Sequence, residues 1–117
     1  MESIQPEVLR SAIKEVWIRA LTEVQPDVLN ALVKARAEET NPRGQQYLDI
    51  LIENAKKAKE NRIVICQDTG VPTFFVKTSL SFPFTGDIRA EFDGALRDLT
   101  KKEFPMRPMV VHPLTRK

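Results

Sequence analysis

One cysteine, one histidine, one tyrosine and one tryptophan occur in these 117 residues. A single cysteine cannot close an internal disulfide, which points to a reducing compartment. No apolar run is long enough to span a bilayer, and Met1-Glu2-Ser3-Ile4 has neither the basic nor the apolar stretch of a secretory leader. Neither sign of charge dominates. Eighteen basic side chains stand against sixteen acidic ones, a formal +2, so no electrostatic footprint for nucleic acid or an anionic membrane is present. Internal repeats, low-complexity tracts and a second domain are also missing. The expectation is a cytoplasmic protein whose residues 1–117 form one small domain, burying roughly two-thirds of the unfolded surface.

What is there reads first as helix. From Pro6 to about Glu23, apolar residues Val8, Leu9, Ala12, Ile13, Val16, Ala20 and Leu21 recur at helical spacing. Pro6 suits the first helical position, and Glu7 complements the positive end of the helix dipole. Pro26-Asp27 repeats that start signal for a second helix reaching about Glu39. Asn41-Pro42 opens a third with a side-chain cap, its buried stripe drawn from Tyr47, Leu48, Leu51, Ile52, Ala55 and Ala58. Lys56, Lys57 and Lys59 fall in its last turns, where cations meet the negative dipole end and form a solvated face. Thr85-Gly86-Asp87 leads into a fourth helix with Ile88, Phe92, Ala95, Leu96 and Leu99 inward. Beyond Phe104 three prolines predict an extended or looped tail.

Between the third and fourth helices the pattern changes. Ile63-Val64-Ile65 is β-branched and apolar, and predicts a buried strand over 64–66. A second strand is expected over 73–79, with Pro72 at its start because proline cannot donate to a ladder. Asp68-Thr69-Gly70 supplies turn chemistry between them. The expected fold class is therefore α+β: N-terminal amphipathic helices packed against a small sheet. The strand tip of that sheet carries Cys66-Gln67-Asp68-Thr69-Gly70, presenting a thiol, an amide and a carboxylate together. A lone cysteine is, on composition alone, more often a small buried hydrophobe than a ligand.

Cys66-Gln67-Asp68-Thr69-Gly70, followed after two residues by Thr73-Phe74-Phe75-Val76-Lys77, resembles the iron–sulfur hydro-lyases, namely class I fumarate hydratases and L-tartrate dehydratases. The resemblance runs on through Phe82-Pro83, Gly86-Asp87-Ile88, Met106-Arg107-Pro108 and Val111-His112-Pro113-Leu114-Thr115-Arg116-Lys117. It implies that Cys66 is one of three thiolates holding a [4Fe-4S] cluster whose open iron acts as a Lewis acid, soft sulfur donors matching such clusters. It also implies that Gln67, Asp68 and Arg107 bind a small dicarboxylate substrate, with Asp68 catalytic through the substrate hydroxyl and Arg107 as a bidentate clamp. Ordinary turn stabilisation is the structural alternative for Gln67 and Asp68, and a surface arginine for Arg107. Met106 and Pro108 depart from the family pattern. His112, wedged between Val111 and Pro113, reads as a loop histidine.

One cysteine cannot hold a cubane. The resemblance therefore implies an N-terminal fragment of an α-type subunit, inactive alone and completed by the rest of that subunit and a β-type subunit in an oligomer. The reaction implied is reversible hydration of fumarate to L-malate, with L(+)-tartrate dehydration by an α subunit second. Two other readings compete. Asp-Thr-Gly also marks retropepsin-like aspartic proteases, whose frame is almost entirely β. A non-catalytic helical interaction module would leave Cys66 merely buried.

Overall fold

The computed structural model describes residues 3–66 and 71–103. Four α-helices follow one another: α1 (Pro6–Thr22), α2 (Pro26–Glu38), α3 (Pro42–Asn61) and α4 (Ile88–Asp98). A single π-helical turn, Leu99–Glu103, continues α4. All four starts expected from Pro6, Pro26, Asn41-Pro42 and Asp87 are in place. Asn41 Oδ1 accepts from the Arg43 N–H at 2.9 Å, and Asp87 Oδ1 accepts from the Arg89 and Ala90 N–H groups at 2.9 and 3.2 Å. Each satisfies backbone donors that the first helical turn leaves without intrahelical partners.

The chain divides into two compact units, one drawn from Met1–Val16 and Asp68–Lys117, the other from Trp17–Gln67. In the second unit, α2 and α3 pack on each other as a helical hairpin joined by Glu39-Thr40-Asn41. Arg36 Nε donates to Asp49 Oδ1 at 2.7 Å across the two helices. At the connector, the Glu39 carboxylate accepts from the Asn41 N–H and the Glu39 carbonyl accepts from the Gln45 side chain. Gly44 leaves room for this arrangement, since a Cβ there would lie 2.9 Å from the Glu39 carboxylate. The buried apolar residues of this unit are Trp17, Ile18 and Leu21 of α1 and Ala55 and Ala58 of α3. Thr22 is buried with them, its hydroxyl donating to the Ile18 carbonyl at 2.9 Å. Tyr47 and Leu51, expected in the buried stripe of α3, are exposed instead. The lysines near the end of α3 do form a solvated face, with Lys57 paired to Glu53 at 2.6 Å and Lys59 to Glu23 at 3.3 Å.

In the first unit, Ala95 and Leu99 are fully buried and Ile13 nearly so, as their spacing predicts. Arg10 Nε donates to Glu91 Oε2 at 2.8 Å, and Lys14 Nζ lies 3.7 Å from Asp98. Ile4 is tied down by its N–H, which donates to the Pro83 carbonyl at 2.7 Å.

The α+β expectation is corrected here. Among the described residues there is no strand and no sheet. The run 63–66 is short and finds its hydrogen bonds on helices: the Ile65 N–H donates to the Leu21 carbonyl at the end of α1. The segment 71–79 has no regular secondary structure. β-branched and aromatic residues favour extension, yet a sheet also needs a neighbouring strand, and no described residue supplies one. The Asp68 turn and the tail beyond Phe104 lie outside the described residues.

Candidate functional site

Cys66 follows α3 by five residues, and the path to it is fixed by how that helix ends. Arg62 adopts the left-handed conformation at φ 52° and ψ 46°. The Ile63 N–H then donates back to the Ala58 carbonyl at 3.0 Å, closing a Schellman-type terminus. The chain turns to meet two fixed groups. The Ile65 N–H donates to the Leu21 carbonyl at 2.9 Å, filling an acceptor that the C-terminus of α1 leaves open. The Ile65 carbonyl accepts from Asn54 Nδ2 of α3 at 3.0 Å. Both polar groups of Ile65 are thus held, one by each helix.

Cys66 comes next, and its thiol is free and exposed. This overturns the small-buried-hydrophobe reading of a lone cysteine. Two residues past Leu21, Glu23 is paired with Arg19 at 3.6 Å and with Lys59 at 3.3 Å, linking the end of α1 to α3. Such exposed pairs add little stability each, but they favour the same local arrangement.

Gln67, Asp68, Arg107 and His112 lie outside the described residues, so of the expected site residues the structure places Cys66. Asn54 is a member of the site that sequence reasoning missed. It lies on an exposed helix face eleven residues before its partner, where no spacing rule distinguishes it from a solvated polar residue. No grouping of three or more His, Cys, Asp or Glu side chains able to hold a metal occurs among the described residues. The chain's donor set for an iron–sulfur cluster is therefore one exposed thiol, which fits a single thiolate ligand and cannot complete the cluster's coordination alone. Nor do the described residues contain the β frame of an aspartic protease around Asp68. No helix among them is long and apolar enough to cross a membrane.

Residues 10–117 match the family model for fumarate hydratase (Fumerase). The chain belongs to that family. A Methanocaldococcus jannaschii protein named "Putative L(+)-tartrate dehydratase subunit alpha" is 34% identical over 110 residues, covering 92% of this chain and 38% of that protein. A Geobacillus stearothermophilus protein named "Putative fumarate hydratase class I" is 33% identical over 110 residues, covering 93% of this chain and 21% of that protein. The Escherichia coli L(+)-tartrate dehydratase subunit alpha is 31% identical over 86 residues, covering 74% of this chain and 28% of that subunit. The family is a hydro-lyase family, and this chain spans well under half the length of these relatives.

Proposed function

We propose that this chain is the cluster-proximal part of an iron–sulfur hydro-lyase that interconverts L-malate and fumarate, working within a larger α-type subunit joined by a β-type subunit in an oligomer. On this reading residues 1–117 are one domain of a cytoplasmic assembly that acts on a small dicarboxylate, with no nucleic acid or membrane as partner. The observation that carries it is Cys66: an exposed thiol one residue beyond a backbone held by two helices, in a member of the fumarate hydratase family.

A [4Fe-4S] cluster, when bound, would supply Lewis acidity toward the substrate hydroxyl. Cys66 would contribute one thiolate to it, and the remaining ligands would come from the rest of the assembly. Holding the peptide just before Cys66 limits the positions its sulfur can take, which is what a ligand needs from its scaffold. Gln67 would donate its amide N–H to a substrate carboxylate without adding charge. Asp68 would orient the substrate hydroxyl or move its proton. Arg107 would clamp the other carboxylate through its planar fork, where negative charge builds as the C3 proton leaves.

L(+)-tartrate is the second reading, favoured by the names of two relatives. Both substrates are 2-hydroxy dicarboxylates, so the same residues would serve either. The test is anaerobic reconstitution of the complete enzyme containing this segment with iron and sulfide, wild type beside Cys66→Ser, followed by turnover of L-malate and of L(+)-tartrate. The account expects turnover of at least one substrate by the wild type and none by the variant. Equal turnover by both proteins would remove Cys66 from the site.

A further inference from the structure

The helix α3 is covered along only part of its length. Tyr47, Leu51, Ala55 and Ala58 follow one another at steps of four, four and three residues, which sets them in one stripe down the helix. Toward the C-terminus that stripe is covered, with Ala55 and Ala58 only 5% and 1% exposed. Toward the N-terminus it is bare: Tyr47 is 63% exposed and Leu51 50%, and Ile50, a helical neighbour of Tyr47, is 54% exposed. Charge divides the helix the same way. From Gly44 to Ile52 the one charged side chain is Asp49, and it is paired with Arg36 of α2. Beyond Ile52 come Glu53, Lys56, Lys57, Lys59 and Glu60. An aromatic and two large aliphatic side chains with little charge among them have the make-up of an interface core rather than of a solvated helix face. The partner helix is equally short of cover, since no residue of α2 is buried and Val28 and Val33 are exposed. Two paired helices form one layer, and a stable core needs a second.

The length comparison supplies the occupant. The relatives carry far more chain than these residues, which cover 38%, 21% and 28% of them. We propose that the bare part of the α3 stripe, Tyr47, Ile50 and Leu51, is the docking surface for the remaining polypeptide of the same α-type subunit, which covers it with an apolar surface of its own. Chain tethered to this segment meets the face at an effective concentration on the order of millimolar, and so is favoured over a free second copy or a separate subunit. This rests on the reading that the chain works within a longer subunit, and it names where the two parts meet. It also bears on the candidate site. Asn54, one turn beyond Leu51, holds the Ile65 carbonyl just before Cys66, so cover on this stretch steadies the helix that anchors the cysteine.

Hydroxyl-radical footprinting tests it, comparing this chain with the full-length α-type subunit that carries the segment. The expected result is strong labelling of Tyr47 and Leu51 in the short chain and labelling several-fold weaker in the long one. Leu51→Asp should leave the melting of the short chain nearly unchanged and lower that of the full-length subunit by several degrees. Equal labelling in both chains would overturn the proposal. So would protection that rises with the concentration of the short chain alone, which indicates a second copy, or protection that appears only on adding the β-type subunit. Iron content measured on the same full-length samples after anaerobic reconstitution separates the two readings. Protection of Tyr47 and Leu51 with no iron bound contradicts the hydro-lyase site alone, and bound iron without protection contradicts the docking surface alone.

Discussion

The runs 63–66 and 71–79 are made of similar side chains and meet different fates. The first is short and has helices on both sides of its backbone: the end of α1 accepts from Ile65 and Asn54 of α3 donates to it. The second is longer and richer in aromatics, and Phe74 seats it on Phe92 of α4. Apolar, β-branched and aromatic sequence favours extension in both. What it does not specify is the partner, and a helix terminus with open carbonyls serves as well as a strand edge.

The sharpest way to test this contrast uses two neighbouring residues. Phe74→Ala should lower the stability of this chain by about 1–3 kcal/mol, through lost burial and the lost ring pair with Phe92. Phe75→Ala, one residue on, should change it by less than about 0.5 kcal/mol, because that side chain is bare. Urea midpoints of the two variants decide it, and similar losses would contradict a seated Phe74 beside a bare Phe75. Asn54→Ala comes next, with an expected cost of about 0.5–1.5 kcal/mol from the hydrogen bond to Ile65. It should also speed exchange at the Ile65 amide, which shares the anchored peptide pair. Arg62→Gly should stabilise the end of α3 by up to about 1 kcal/mol, since glycine accepts positive φ without the Cβ penalty. A fall in melting temperature for that variant would argue against the Schellman-type path into Cys66.

The smallest effect is a pH dependence. The Lys57 ammonium, through its hydrogen bond and then its charge, holds the Glu53 carboxyl below its ordinary 4.5. A depressed folded value contributes stability above the unfolded value, and that contribution is lost as pH falls through the folded one. Wild type and Glu53→Gln should therefore differ slightly in melting temperature at neutral pH and converge in acid. A difference that grows as the pH falls would reverse the sign and contradict the pairing.

Much of the helical frame was legible because helix signals are local. Proline at the first turn, Asn41 and Asp87 as caps, and the spacing of Ile13, Leu21, Ala55, Ala58, Ala95 and Leu99 all lie within a few residues of what they determine. The sheet was misread because pairing is not local: Ile63-Val64-Ile65 announces extension, while its acceptor, Leu21, lies more than forty residues away. Tyr47 and Leu51 fit the apolar period of α3, but period says only which residues share a face. At the site, Cys66 stood out as the sole cysteine beside turn chemistry, whereas Asn54 carried no signal at all. The partners expected at Gln67, Asp68 and Arg107 rest on family resemblance and lie outside the described residues.

The most direct test of the central claim, that the anchored and exposed Cys66 is a cluster ligand, is its alkylation rate in the complete enzyme before and after anaerobic reconstitution with iron and sulfide. The account predicts rapid native-state labelling of the cluster-free protein and protection of Cys66 once iron and sulfide are bound. Labelling at the same rate in both states, with iron demonstrably bound, would contradict it.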